Sequence, residues 1–235
     1  MDNTAINRAR IVYYGLFSCL FSFRMGREQY DTIVRAVNIL HRNSIDEQSE
    51  KALDNIKRRL KKGGFEALEQ ESNRVFFSPT TAFVPMTASF YHEQRDDGKK
   101  RVEMIDYLLQ SKFRRNTNTY KEHEDHIEFV MQFLQKLIEQ EVEGDASAGL
   151  LARKVFANIL NPMVDDFADN LFRHDKSFLY KQAVLALRSF IDCERLYLNI
   201  PKPENSESRT ARKIEQARKK EQTHTCVQFG TTGCA

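Results

Sequence analysis

The densest run of titratable side chains in this sequence is Glu122-His123-Glu124-Asp125-His126, continuing into Ile127 and Glu128. Four carboxylates fall within seven residues, beside two imidazoles three positions apart. Three chemistries suit such a set. Carboxylates accept paired hydrogen bonds from a guanidinium, so the run is suited to an arginine-bearing partner peptide. His123 and His126 offer two nitrogen ligands to a metal, but the H-E-x-x-H order of zinc hydrolases and a third ligand are both missing. Asp125 beside His126 is a formal acid–base pair. A plainer account stands against all three: acidic residues at the start of an apolar helix complement its dipole.

Two further groups stand out. Pro85-Met86-Thr87-Ala88-Ser89-Phe90-Tyr91 closes an aromatic, irregular stretch, whose plain role is a loop pinned to the body by its rings. Asp165, Asp166 and Asp169 put acid on one face of a helix, where a solvated face is the simplest reading. Recognised enzyme signatures are absent: there is no G-x-G-x-x-G, Walker loop, G-x-S-x-G elbow or C-x-x-C. No phosphate loop supports nucleotide binding.

The elements that must position these residues read as helices. Apolar side chains recur at three- and four-residue steps and strand-like alternation does not. One face forms over about 4–23 (Tyr13, Leu16, Phe17, Leu20) and another over Tyr30 to Leu40 (Ile33, Val34, Val37). Ser44-Ile45-Asp46-Glu47 reads as a capping box opening a helix that Gly63-Gly64 ends, followed by a short helix from Phe65 to about Asn73. Residues 74–98 break any period. Helices resume at about 99–114 and, most strongly, at about 124–142, then at 146–160. Asn161-Pro162 reads as a cap before a first-turn proline. Asp175 is expected to cap a long last helix that Pro201 and Pro203 terminate.

Composition agrees. Apolar residues make up 41% and charged residues 29%, with 17 Phe and 8 Tyr, enough for a sizeable core. Nine Gly and five Pro leave few punctuation points for short strands. The expected architecture is therefore all-α. The net charge of +3 lies wholly in residues 201–235, which hold seven Lys/Arg against four Asp/Glu, leaving 29 of each sign in residues 1–200. A neutral body lacks the basic face of a nucleic-acid binder.

Cys19, Cys193, Cys226 and Cys234 do not make a disulfide framework in a chain of 235 residues, which fits a reducing compartment. Cys19 and Cys193 sit in apolar helical patterns; Cys226 and Cys234 lie in the tail and make a weak metal signal. Arg8 and Arg10 precede an apolar run, but Tyr13, Tyr14, Ser18 and Ser22 interrupt it and no A-x-A site follows, so no cleaved leader is expected. No stretch is long enough to span a bilayer. These features give the expectation of a cytoplasmic protein without stable membrane insertion. The domain expected is 1–203, with a basic, Cys-containing tail at 204–235 that is disordered or loosely helical.

With these residues in view, the chain resembles the TorD/DmsD family of redox-enzyme maturation chaperones. The loop Pro85 to Tyr91 is similar to the family's Pro…Ser-x-Tyr segment. Glu122-His123-Glu124-Asp125-His126-Ile127 is similar to its E-P-x-D-H-I hinge, with His123 where the family has Pro. Leu160 to Tyr197, with Asn161-Pro162-Met163 in place of a Trp-Pro-like element, matches its last helices; the sequence has no Trp. Together they organise roughly residues 5–200. The resemblance implies a single helical-bundle domain of about nine to ten helices that catalyses nothing and needs no cofactor. Its implied partner is the N-terminal, twin-arginine type signal of a molybdenum-containing oxidoreductase, held with the apo catalytic subunit until cofactor insertion. A formate dehydrogenase, a nitrate reductase or a sulfoxide/N-oxide reductase would suit. The peptide-binding residues carried over are Ser89, Tyr91, Glu122, Asp125 and His126, with Phe90 and Tyr91 lining a groove for the apolar part and Glu122 and Asp125 pairing with the arginines. A monomer and a dimer with exchanged helices both fit the sequence. The competing expectations are a helical adaptor for a folded partner and a metal-dependent hydrolase using His123 and His126.

Overall fold

Helices account for nearly all the regular structure in the computed structural model, which describes residues 3–203. In chain order these are α1 (Asn3–Leu20), α2 (Arg27–His41), α3 (Glu47–Ser72), α4 (Ala88–Glu93), α5 (Lys99–Leu109), α6 (Ile127–Val142), α7 (Ala146–Val155), α8 (Asn161–Arg173) and α9 (Leu179–Leu198). Among the described residues there are thus nine α-helices, and the only strand-like pairing is one isolated bridge. The basic tail, with its expected polar helix, Cys226 and Cys234, lies outside the described residues.

The core forms where apolar stripes meet. α1 packs on α6 and α2, α3 on α9, α7 on α6, and α8 on α9. At its centre Tyr13 and Phe17 stack on Phe190, Tyr14 meets Phe190 edge-on, and Phe21 meets Phe167 edge-on. A buried ion pair runs through this aromatic layer. Arg10 of α1 donates from Nε and Nη2 to the two carboxylate oxygens of Glu194 of α9, at 2.6 and 3.0 Å. Tyr14 donates to the same carboxylate at 2.7 Å, and Asn7 accepts from Arg10 at 2.8 Å. Both charges are almost completely removed from water, so each depends on the other for solvation.

Several local expectations are corrected by long-range partners. α9 is not capped by Asp175, which pairs with Lys176 at the surface. Glu71, at the end of α3, instead accepts the backbone N–H groups of Phe178, Leu179 and Tyr180 with one oxygen, at 2.7, 2.6 and 3.1 Å. The capping box of α3 is Asp46 with Ser49, two residues along from the expected Ser44 start. The Gly63-Gly64 stop is a kink within α3: Gly64 has φ of +66°, which a side chain would strain, and the helix resumes beyond it. Asn161 is already helical rather than a cap. α7 runs through a π turn at Phe156–Leu160 directly into α8, and the wider turn accommodates Pro162 without a break. The Asp165/Asp169 face is not merely solvated: Asp165 binds Arg195 at 2.8 Å and Asp169 binds Arg188 at 2.6 Å, tying α8 to α9. Residues 74–98, expected to be irregular, contain the short α4.

Glu194→Leu leaves the buried Arg10 guanidinium with only the more distant Glu141, at 3.8 Å, as counter-charge and is expected to cost about 3–5 kcal/mol in urea unfolding. Pairing it with Arg10→Met should recover most of that loss. A double variant no more stable than the single one contradicts this role for the pair.

Candidate functional site

The two motifs singled out in the sequence meet in space. Ile127 N–H donates to Met86 C=O at 2.8 Å and Ala88 N–H donates to Asp125 C=O at 3.0 Å, forming an antiparallel bridge between Thr87 and His126. This bridge fastens the start of α4 to the start of α6. Thr87 caps α4 by accepting from Phe90 N–H at 3.4 Å and donates to Asp96 at 2.5 Å. Tyr91 donates its hydroxyl to Pro85 C=O at 2.8 Å, closing the loop on itself, and receives Asn170 of α8 at 3.4 Å.

The four acidic residues of the hinge have separate fates. Asp125 is wholly buried; one carboxylate oxygen accepts Ser89 N–H at 2.8 Å, while the other has no hydrogen-bond partner among the described residues. Ser89 is equally buried, and its hydroxyl accepts Arg101 N–H at 3.2 Å. Glu124 accepts a hydrogen bond from Arg101 Nε at 2.8 Å and forms an ion pair with Arg115, whose Nε lies 3.0 Å away without making a hydrogen bond. Arg101 also reaches Asp97 at 2.6 Å, and Arg115 donates to Glu122 C=O at 2.6 Å. The remaining two, Glu122 and Glu128, are half-buried and have no Lys or Arg within 4 Å among the described residues.

His126 is the N-cap of α6. Its Nδ1 accepts Glu128 N–H at 3.3 Å and lies 3.4 Å from the Tyr120 hydroxyl. Burial pushes its pKa down to about 4, so the ring is neutral at neutral pH. As the accepting atom, Nδ1 carries no proton and Nε2 does. Thus His126 acts here as a helix cap. Among the described residues no set of three or more His, Cys, Asp or Glu is arranged to hold a metal ion.

Of the residues expected to bind a partner, Ser89, Tyr91, Asp125 and His126 therefore lie inside, holding the two segments together. Phe90 and Glu122 face outward in part. Phe90 meets the ring of Phe83 edge-on at 5.8 Å, and Phe83 is 68% exposed, so the loop presents apolar rings to solvent.

Sequence reasoning passed over Glu128 and Phe23. Glu128 accepts the N–H of Phe23, just beyond α1, at 2.9 Å. Burial, only partly offset by that bond, raises its pKa to about 7. Burial likewise raises the pKa of Glu122. Phe23, Tyr120, Glu122 and Glu128 line one cavity of about 500 Å³, with Arg24 and Lys121 exposed at its edge. Glu128 stood in the acidic run from the start, but no sequence signal placed it against the turn from α1 to α2.

A family model described as the nitrate reductase delta subunit matches residues 42–169. A solved structure from Archaeoglobus fulgidus, described as a redox enzyme maturation protein, is similar in fold. It has a TM-score of 0.53 at 21% identity, over 77% of this chain and 93% of that one. No curated protein sequence matches the chain.

Two measurements test the hinge. Asp125→Ala leaves the buried Ser89 N–H without an acceptor. Its expected cost is about 1–3 kcal/mol, with loss of amide exchange protection in α4 before the rest of the protein; unchanged α4 protection contradicts the assignment. The second concerns pH. The folded protein keeps the Glu128 proton up to about pH 7, whereas the unfolded chain loses it near the usual value of 4.5, so ionisation of Glu128 lowers stability as pH rises through that window. His126 acts oppositely: its depressed pKa makes stability fall as pH drops from 6.5 toward about 4. Glu128→Gln removes only the first effect. Relative to the unaltered protein it should gain about 1–3 kcal/mol on going from pH 5 to pH 8, read from urea midpoints.

Proposed function

The chain belongs to the nitrate reductase delta subunit family, the TorD-like maturation chaperones, and from that premise we propose that it binds the N-terminal leader of a redox-enzyme catalytic subunit. The client in this reading is the apo catalytic subunit of a molybdenum-containing oxidoreductase, such as a formate dehydrogenase, and its leader is of the twin-arginine type. The chaperone holds that leader while cofactor is inserted and performs no reaction of its own. Residues 1–203 are the chaperone domain and 204–235 an appended basic tail. The setting is the cytoplasm, consistent with the observation that no helix of the described residues is long and apolar enough to cross a membrane.

One observation carries this reading: the bridge between Thr87 and His126 joins the loop that exposes Phe83 to the hinge that holds Glu122 and Glu128, neither of which forms an ion pair with a Lys or Arg among the described residues. A leader with arginines ahead of an apolar run has the complementary pattern. Rings that already meet one another at the surface offer apolar area at small entropic cost, and charge pairs matter most where they are partly removed from water. Phe90 and Glu122 are the contacting groups, while Ser89, Tyr91, Asp125 and His126 hold the two segments in register. The similarity of the fold to the Archaeoglobus fulgidus protein supports the same reading.

Capture of a co-expressed precursor by the full chain should depend on the leader and be lost when the leader is deleted. Phe90→Ala and Glu122→Gln should each weaken leader binding about tenfold by calorimetry, with thermal unfolding unchanged. Precursor capture that survives deletion of the leader points to an adaptor for a folded partner instead.

A further inference from the structure

Resting on the leader-binding reading, we infer that the cavity between Phe23 and Tyr120, with Glu122 and Glu128 in its wall, is a receptor for a single arginine side chain of the client's leader. The argument is one of elimination followed by fit. Within the acidic hinge, Glu124 is already ion-paired with Arg101 and Arg115, and Asp125 is enclosed and tied to Ser89. Glu122 and Glu128 are the partly exposed hinge carboxylates without an ion pair to Lys or Arg among the described residues, and both line the same cavity of about 500 Å³. That space is ample for a guanidinium and its methylene stem. The ring of Tyr120 is fixed by a tilted contact with Phe129 at 5.5 Å, and that of Phe23 by an edge contact with Phe77 at 5.1 Å. Both rings are therefore held in place beside the carboxylates. A planar cation that stacks on rings while hydrogen-bonding carboxylates is an arginine, since a lysine ammonium is more strongly hydrated and cannot stack.

The arrangement also couples binding to a proton. Glu128 accepts Phe23 N–H at 2.9 Å and a hydrogen bond from the Tyr120 hydroxyl, which together do not make up for the water it has lost. The groups facing it are His126, neutral and 3.9 Å away, Tyr120, Glu122 and Lys121 from the hinge, and Cys19 and Arg24 from the α1 side. Cys19 is uncharged, its thiol pushed up to about 11 by burial. Arg24 and Lys121 are exposed and screened by solvent. An entering guanidinium thus supplies the missing counter-charge and drives the carboxylate proton into solvent. This explains how an acidic site can stay closed to cations in mildly acid conditions and open above neutrality.

The test uses the full chain and a capped synthetic peptide with two adjacent arginines ahead of an apolar run. Its control has citrulline, a neutral isostere, at both arginines. Calorimetry should show the arginine peptide binding about tenfold or more tightly than the citrulline peptide. Its affinity should rise about tenfold between pH 6 and pH 8, with proton release detected by changing the buffer's ionisation enthalpy. Glu128→Gln should abolish both the arginine preference and the proton release while retaining binding of the apolar part. Tyr120→Phe, which keeps the ring, should retain the arginine preference. Equal binding of the two peptides by the unaltered protein overturns this receptor while leaving leader recognition standing. Binding of neither peptide overturns both. An arginine preference and proton release that persist in Glu128→Gln place the cation elsewhere.

Discussion

A carboxylate withdrawn from water must find donors, and the hinge of this protein is organised by how each of its carboxylates meets that demand. Asp125 takes the backbone N–H of Ser89, Glu124 takes a hydrogen bond from Arg101 and an ion pair with Arg115, and Glu128 takes the backbone N–H of Phe23 and the Tyr120 hydroxyl. The first two solutions are structural. They weld the loop ending in α4 to the start of α6, two segments more than thirty residues apart in sequence. The third is incomplete, and the shortfall appears as a raised proton affinity. Site and scaffold are thus made from the same residue type, distinguished only by how many donors the surroundings provide.

The same demand organises the rest of the bundle. Glu194 in the aromatic core is held by Arg10 and Tyr14, linking the first helix to the last. Glu71 supplies the acceptor for three otherwise unpaired N–H groups at the start of α9. Apolar burial supplies most of the stability of such a helical assembly but discriminates poorly between helix registers. Buried charges whose partners sit on distant helices add directional constraints that apolar packing lacks. In this chain they connect α1, α3 and α8 to α9. The hinge therefore sits on a frame whose helices are individually pinned.

A firm frame matters for a protein whose work is recognition. The inward residues Ser89, Tyr91, Asp125 and His126 fix the backbone from which Phe90 and Glu122 project. In the leader recognition proposed above, groups preorganised in this way lose little freedom on contact, so modest contacts suffice for useful affinity. The neutral state of His126 belongs to the same economy of charge. A protonated ring at the start of α6 would oppose the helix dipole and lose its capping role.

Much of the architecture was legible in the residue order, and the reason is local. Helix faces such as Ile127, Val130, Met131, Leu134 and Leu137 follow from a 3.6-residue period that depends on nothing outside the segment. The acidic run and the loop from Pro85 to Tyr91 were visible as chemistry for the same reason. Helix ends were less legible, because their orphan N–H and C=O groups accept any suitable partner: Asp175 stood in the expected capping place, yet Glu71, more than a hundred positions away, took the role. Burial was hidden likewise, so Asp125 and Glu122 looked equivalent in the sequence, whereas in the structure Asp125 is wholly buried and Glu122 half-buried. The sequence by itself determined an all-helical chain with an acidic segment suited to cations. Which of those acids are spent on the fold, and which line the cavity beside Phe23 and Tyr120, only the tertiary structure decided, because solvation of a charge depends on every chain segment that folds around it.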